Sequence, residues 1–509
     1  MMGRQSKVQN KLFYTAINLE QRVRKNHILR KVKRQIDFDF IYHEVKDKYG
    51  IKGNESVAPP IILKMMLLLT LYNVRSEREL MATIPERLDW LWFLDYDLDD
   101  NIPNHRVLSK ARARWGVAAF KTFFERIVWQ CVQADLVDGR KLFMDSSIVQ
   151  ANASNNSVVN QESLKRYLNK SYRILESRLE QQAQFSSSEG ILKSGTANQK
   201  YISTTDPDAS VTRRGKGKSK LKYQIHRGVD PKREVITATE VTPGEVHEAH
   251  RMQSLIETHE KNTESTVETA VADSKYGSIE NYLACHDHGI KAHFTSLEEA
   301  QHGTGTKKGI FAKEAFTYHA ESDTFICPAG QTLKRRNFNK KRQHYEYITA
   351  AGTCSRCQLK AQCTKAKSGR TLKRHIRQDD LDSMLQQARS PESKKDIRTR
   401  QHLMERTFAQ ATRYGYQRAR WRGLWRVQIQ EYLTAAIQNI KILVKNVKEP
   451  APALQMQIAP EVAETASRIK CYGLNDLFIL QGRAIAHFCL LVGKYLSLPS
   501  GSDRGLSCN

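Results

Sequence analysis

The chain has 509 residues, 40% hydrophobic and 27% charged, which fits a soluble globular protein of about two to four structural units. Lys and Arg number 81 against 54 for Asp and Glu, a formal charge of +27, and such an excess points to a polyanionic partner because these side chains neutralise phosphates and release counterions. The nine cysteines do not form a secreted disulfide framework, no signal peptide is visible and the longest apolar run is too short for a membrane span, so a reducing cytoplasm with no membrane partner is expected.

Residues 1–115 read as helical. VAPPIILKMMLLLTLYNV (57–74) carries Pro59, Pro60 and Lys64 and reads as a buried helix. SERELMATI (76–84) opens with Ser76 as N-cap and Glu79 three residues on, a capping box. NHRVLSKARARWG (104–116) follows Pro103, ends at a glycine and spaces Arg106, Lys110, Arg112 and Arg114 along a helix. Short basic helices of this kind fit a DNA-binding module or a merely solvated helix face.

From about residue 140 strands and helices alternate. KLFMDSSIVQ (141–150) reads as a strand, followed by a polar stretch with SSSEG (186–190) and the basic loop RRGKGKSK (213–220). LKYQIHRGVD and REVITATEV read as a hairpin turning at Asp230-Pro231. A helix is expected from Thr242, with Pro243 at its first position and Glu245 closing a capping box. A short strand ending at Asp273, a helix from about Ser278 and a strand near IKAHF (290–294) follow. The order is mixed α/β, a hairpin beside parallel βαβ units. Residues 301–385 break the pattern. Helices return at about 394–415 and 425–447, and 448–464 reads as a linker before a tail with no functional reading.

Three acids stand out: Asp145 in the first strand, Asp273 closing a later strand and Glu405 on the helix RTRQHLMERTFAQATRYGYQRARWRGL (398–424). Ile397, Met404, Phe408 and Ala411 form that helix's apolar stripe, and Glu405 lies at the stripe's edge. Phosphodiester cleavage needs an activated water or hydroxyl and a stabilised leaving oxygen, which two Mg²⁺ ions about 3.5–4 Å apart supply. Mg²⁺ takes hard oxygen ligands and only a few carboxylates. Taken singly, an Asp at a strand end is more often a turn or cap residue, and a Glu on a basic helix more often a salt-bridge partner.

Cys327, Cys354, Cys357 and Cys363 form a second constellation, with Cys354 and Cys357 as a C-x-x-C knuckle. Either they bind structural Zn²⁺, with His344 or His375 able to replace one ligand, or they are four reduced thiols. In RYGYQRARWRGLWR (413–426) arginines interleave with Tyr414, Tyr416, Trp421 and Trp425. Such a stretch can pair with phosphates and stack on unpaired bases, or pack helix against helix. The candidate DNA contacts are Arg398, Arg400, Arg413, Arg418, Arg420, Trp421 and Arg422. His226, His247 and His250 read as structural or surface residues.

These segments together resemble DDE-class transposases of bacterial insertion sequences, in the branch with a helical N-terminal domain and a cysteine-bearing insertion before the glutamate. RSEREL (75–80) and PNHRVLSKARAR are similar to the N-terminal signature, and LFMDSSIVQANASNNSVV (142–159) to the first-aspartate motif. TDPDAS (205–210) and VTPGEVHEAH (241–250) match two further stretches, VADSKYGSIENYLACHDHGIKAHF resembles the second-aspartate motif, and residues 398–424 resemble the glutamate motif. The family's lysine two turns past the glutamate is Thr412 here, and its tyrosine and arginine before the glutamate are Arg398 and Gln401.

The resemblance implies a ribonuclease H-like mixed-sheet core carrying Asp145, Asp273 and Glu405 as catalytic ligands of two Mg²⁺. It divides the chain into a helical DNA-binding domain (1–115), core (140–300), Cys-rich insertion (301–385), core helices (386–447) and a tail (448–509). The implied activity is cutting the ends of the protein's own element and joining them to target DNA. Its partner is double-stranded DNA, terminal inverted repeats and target alike, with a homo-oligomer acting at the bacterial nucleoid in the cytoplasm. The alternatives are a nuclease without strand transfer and a non-catalytic or decayed DNA-binding relative.

Overall fold

The computed structural model describes residues 2, 18–160, 196–213, 218–296, 310–366 and 368–447. The linker and tail from 448 onward, SSSEG (186–190) and residues 214–217 of the basic loop lie outside the described residues.

The chain opens with helices α1 (Leu19–Arg22), α2 (Ile28–Gln35), α3 (Phe40–Val45), α4 (Pro59–Leu71), α5 (Glu77–Thr83), α6 (Leu88–Leu94) and α7 (Arg106–Gln133). Helix α4 begins on prolines, whose fixed φ suits a first turn, and it is buried on every side. Its one charge, Lys64, donates to Asp95 Oδ2 at 2.8 Å beneath the Phe38 and Phe93 rings. The expected cap of α5 is present, with Ser76 Oγ accepting from Glu79 N at 3.1 Å. The helix expected to stop at Gly116 does not stop. It kinks there, at φ +71°, and resumes to Gln133 because Phe120, Phe123, Phe124 and Ile127 continue the buried face. Among the described residues no helix is long and apolar enough to cross a membrane.

A six-stranded mixed sheet follows: β1 (Lys141–Gln150), β4 (Ser210–Thr212), β5 (Lys220–Asp230), β6 (Val235–Pro243), β7 (Thr269–Val271) and β8 (Lys291–His293). The short pair β2 (Val158–Asn160) and β3 (Tyr201–Ser203) stands apart, with α8 (Thr196–Lys200) before β3. β1 runs antiparallel to β5 and parallel to β7, β6 is antiparallel to β5, and β8 is parallel to β7. The crossovers are α9 (Met252–Thr263) and α10 (Ile279–Asp287).

The helix expected from Thr242 is corrected. β6 runs on through Pro243, and helical geometry starts only with a 3₁₀ turn at Glu248–Arg251. Proline is tolerated at the end of an edge strand, where no ladder N–H is needed, so the apparent N1 proline and capping box describe a strand end instead.

A second, five-stranded antiparallel sheet follows: β9 (Thr317–His319), β10 (Thr324–Ile326), β11 (Thr332–Asn339), β12 (His344–Ile348) and β13 (Leu372–His375), with α11 (Lys360–Cys363) before β13. It packs around Phe316, Phe325, Leu333, Tyr347 and Leu372. Three helices then return to the first sheet: α12 (Gln378–Ala388), α13 (Pro391–Arg413) and α14 (Leu424–Asn446).

The start of α14 explains the TDPDAS stretch. Gly423 N donates to Asp206 Oδ1 at 3.0 Å and Leu424 N to Asp208 Oδ2 at 2.7 Å, two acids at the positive end of a long helix. Burial nevertheless pushes Asp206 up to about 6, against its bond from the Tyr223 hydroxyl.

Sheet and helices are tied by a buried ion pair. Arg227 on β5 grips Glu431 of α14 with two bonds, Nε to Oε1 at 2.7 Å and Nη2 to Oε2 at 2.9 Å, and both side chains are 0% exposed. Its Nη1 reaches Gln438 Oε1 at 2.9 Å and the Thr407 carbonyl of α13 at 3.3 Å. Glu431→Ala would strand that guanidinium in the interior. It should cost ~3–5 kcal/mol in denaturant unfolding, where an exposed salt-bridge loss costs ~1 kcal/mol or less.

Candidate metal centre

Register brings two of the expected acids together. Phe143 pairs with Val271 in the parallel β1–β7 ladder, and Asp145 and Asp273 each lie two residues further on. They therefore emerge side by side where β7 ends. Asp273 Oδ1 accepts from Lys275 N at 3.0 Å, which caps a 3₁₀ turn at Ser274–Tyr276 and swings the chain away. The carboxylate thus both ends the strand and faces its neighbour.

A third acid, Glu248, joins them from the turn after β6. One oxygen from each of Asp145, Glu248 and Asp273 lies within 4.8 Å of the others. Two cations hold the edges of the group. Arg400 of α13 donates from Nη1 to Asp145 Oδ2 at 2.6 Å, and Lys275 Nζ donates to Glu248 Oε1 at 2.5 Å. Gln224 Nε2 bridges Glu248 Oε1 at 2.8 Å and Ser146 Oγ at 2.7 Å.

The local field favours protons or metal. Burial raises the Asp145 carboxyl above its usual value, opposed by Arg400 and reinforced by Asp273 and Glu248. Burial also raises Asp273, with the Glu248 charge next in weight and Lys275 opposing. The Tyr276 hydroxyl is fully buried and has no hydrogen-bond partner, and its ionisation is pushed far up by burial and then by the same three carboxylates.

Glu405 is not part of this group. Its exposed carboxylate accepts from Gln401 Nε2 at 3.3 Å. It lies five residues past Arg400, a step of about 140° around and ~7.5 Å along the helix, so Arg400 faces the site and Glu405 does not.

The expected DNA contacts divide. Arg398, Arg413, Arg418 and Arg422 are exposed, Arg422 donating to the Asn152 carbonyl at 3.0 Å. Arg400 is instead buried against Asp145. Arg420 anchors on Asn73 Oδ1 at 2.9 Å and on the Val74 carbonyl. Trp421 lies under the Arg112 guanidinium at 3.9 Å, and Arg112 itself pairs with Glu77 at 2.5 Å. The RARWRG stretch therefore meets Asn73 and Val74, just before RSEREL, directly and Glu77 through Arg112, and Gly415, at φ +74°, leaves room for Asn73 Oδ1, which a Cβ would meet at 2.3 Å. On α7, Arg106, Lys110 and Arg114 stay exposed.

Cys327, Cys354, Cys357 and Cys363 all line one cavity beside the second sheet and form no disulfide. Gln331 N donates to Cys327 Sγ at 3.3 Å. No three of these sulfurs lie within 4.8 Å of one another. His344 and His375 pair across β12–β13 and do not line the cavity. Another acid group, His293, Glu392 and Asp396, already holds the Lys141 ammonium, 2.8 Å from Asp396, and reads as a structural tie.

Sequence reasoning missed Glu248, Lys275, Tyr276 and Gln224. Placing Glu248 on a helix hid it, whereas a strand end next to β5 would have put it at the sheet edge beside Asp145.

Residues 17–114 match the Transposase domain (DUF772) family and residues 326–444 the Transposase DDE domain family. No curated protein matches the chain significantly.

A carboxyl whose folded pKa is raised is held ionised at the fold's expense. The penalty is complete above the folded pKa and vanishes below the unfolded value of ~3.9. Asp273→Asn should therefore raise the melting temperature in metal-free buffer at neutral pH, with the gain shrinking as pH falls toward ~4. Thermal melts across that range measure it.

Proposed function

We propose that this chain, which belongs to the DDE-class transposases of insertion sequences, cuts the ends of its own element and joins the freed 3′-hydroxyls to target DNA. The observation that carries the reading is the register-set pair Asp145 and Asp273, converging with Glu248 at one end of the sheet. The strand order β6-β5-β1-β7-β8, antiparallel on one side and parallel on the other, supports a ribonuclease H-like core.

The residues fit a divalent metal. They offer hard oxygens, the buried Glu248 Oε2 has no partner, and burial makes Asp145 and Asp273 harder to ionise without a cation. Asp145 and Asp273 would hold Mg²⁺, with Glu405 the further acid that the glutamate motif nominates. A bound pair of such ions would supply the activation of the attacking water or hydroxyl and the stabilisation of the leaving oxygen. Arg400 fixes the Asp145 carboxylate, and Lys275 keeps Glu248 in place. Exposed Arg398, Arg413, Arg418 and Arg422, with Arg106, Lys110 and Arg114 on α7, would neutralise backbone phosphates. No protein–DNA covalent bond is required.

Processing two ends together calls for a homo-oligomer, and work on chromosomal DNA fits a cytoplasmic, nucleoid-associated protein. The four thiols lining the cavity beside the second sheet would bind one structural Zn²⁺ only by drawing together, since no three of their sulfurs lie within 4.8 Å of one another. Loss of about one zinc equivalent on Cys354→Ser, by elemental analysis, would support that assignment, and an unchanged zinc content would refute it.

A labelled terminal fragment incubated with the protein, target DNA and Mg²⁺ should yield joined products. Nicks without joining would indicate a nuclease, and binding without cleavage a non-catalytic relative. Asp145→Asn or Asp273→Asn should reduce both cutting and joining by at least the ~100-fold that even outer-shell changes at metal sites can reach. DNA retention in gel shifts should largely persist.

A further inference from the structure

We propose that Glu248 is an additional carboxylate ligand of the divalent cation held by Asp145 and Asp273. The inference rests on reading that site as a metal centre and deepens it by giving a ligand role to a residue that no motif assigns one.

Proximity is the first support. Glu248 offers an oxygen within 4.8 Å of oxygens on both aspartates, and Glu405 does not. A single cation with oxygen ligands at ~2.0–2.1 Å can be shared by groups this close without moving an element of the fold.

The second support is an unmet hydrogen-bonding need. Glu248 is 5% exposed, and its two oxygens are treated unequally. Oε1 accepts from Gln224 and Lys275, whereas Oε2 is buried with no partner. Burying a carboxylate oxygen without a donor is costly, and native structures rarely leave one so. A structural pair with Lys275 does not account for it, because that ammonium is already engaged at Oε1. Its side chain is also 47% exposed, so the pair is partly solvated and weak.

An independent orphan lies at the same place. The Tyr276 hydroxyl is 0% exposed, has no partner and sits in the field of Glu248, Asp145 and Asp273. Two buried polar groups from different elements, both unsatisfied around three carboxylates, are what a missing cation and its bound water would satisfy.

The test measures Mn²⁺ binding to the full-length protein without DNA, by the electron paramagnetic resonance signal of free Mn²⁺, together with the melting-temperature rise that Mn²⁺ induces. Glu248→Gln should weaken binding about 10-fold or more, comparably to Asp273→Asn, while Glu405→Gln binds as the wild type. Removing the charge beside Asp273 should leave the metal-free melting temperature of Glu248→Gln unchanged or higher.

Wild-type Mn²⁺ affinity in Glu248→Gln, with loss in Asp145→Asn and Asp273→Asn, would overturn the Glu248 assignment and leave the two-aspartate reading intact. Wild-type affinity in all three would overturn that reading itself. A lower metal-free melting temperature with the Mn²⁺-induced rise retained would make Glu248 a structural partner of Lys275. If Glu248→Gln fails to fold, Glu248→Asp keeps the charge but withdraws it by one methylene. Weakened Mn²⁺ binding by that variant supports the assignment, and wild-type binding refutes it.

Discussion

The Arg227 guanidinium is the fixed point of this structure. It leaves β5, enters the space between sheet and helices, and spends its donors on Glu431, Gln438 and the Thr407 carbonyl. Desolvation offsets most of the Coulombic gain of such a pair, so its main effect is orientation rather than net stability. It sets where α13 and α14 lie against the sheet. That setting brings Arg400 onto Asp145, because Thr407 and Arg400 belong to one helix, two turns apart. The acidic site therefore inherits its geometry from a contact made by none of its own members.

The site inverts the character of the molecule around it. A chain of net charge +27 gathers three carboxylates at one sheet edge and compensates them with one arginine and one lysine. The basic excess suits a phosphate backbone, and the acidic pocket would repel that same backbone unless a cation intervened. Both features make sense together if DNA is drawn by the surface and met by a metal at the sheet edge.

Much of this was legible in the sequence, for local reasons. The apolar runs LFM and IV of KLFMDSSIVQ and the hairpin at Asp230-Pro231 gave β1, β5 and β6, and Ser76 and Ser278 marked helix starts correctly. What failed was tertiary. Pro243 and Glu245 satisfy the rule for a helix start, yet the ladder with β5 continues to Pro243 and overrides it. Arg400 and Glu405 are five residues apart on one basic helix, and only packing decides which faces the sheet. Trp421 had the composition of a base-stacking residue, but Arg112, more than three hundred positions earlier, already covers its ring. Asp145 and Asp273 were individually visible, whereas their adjacency depended on a parallel register that spacing alone does not encode.

The front helices and the sheet are built around one interior. Phe124 of α7 stacks on Tyr432 of α14 at 5.7 Å, and the same apolar cluster runs from Leu29 through Phe143 to Val444. Neither part closes its interior alone. A front end grafted from another chain would therefore leave two half-finished interiors. A change in what the outer skin recognises would have to come from substitutions scattered over that skin, with both halves kept as one piece.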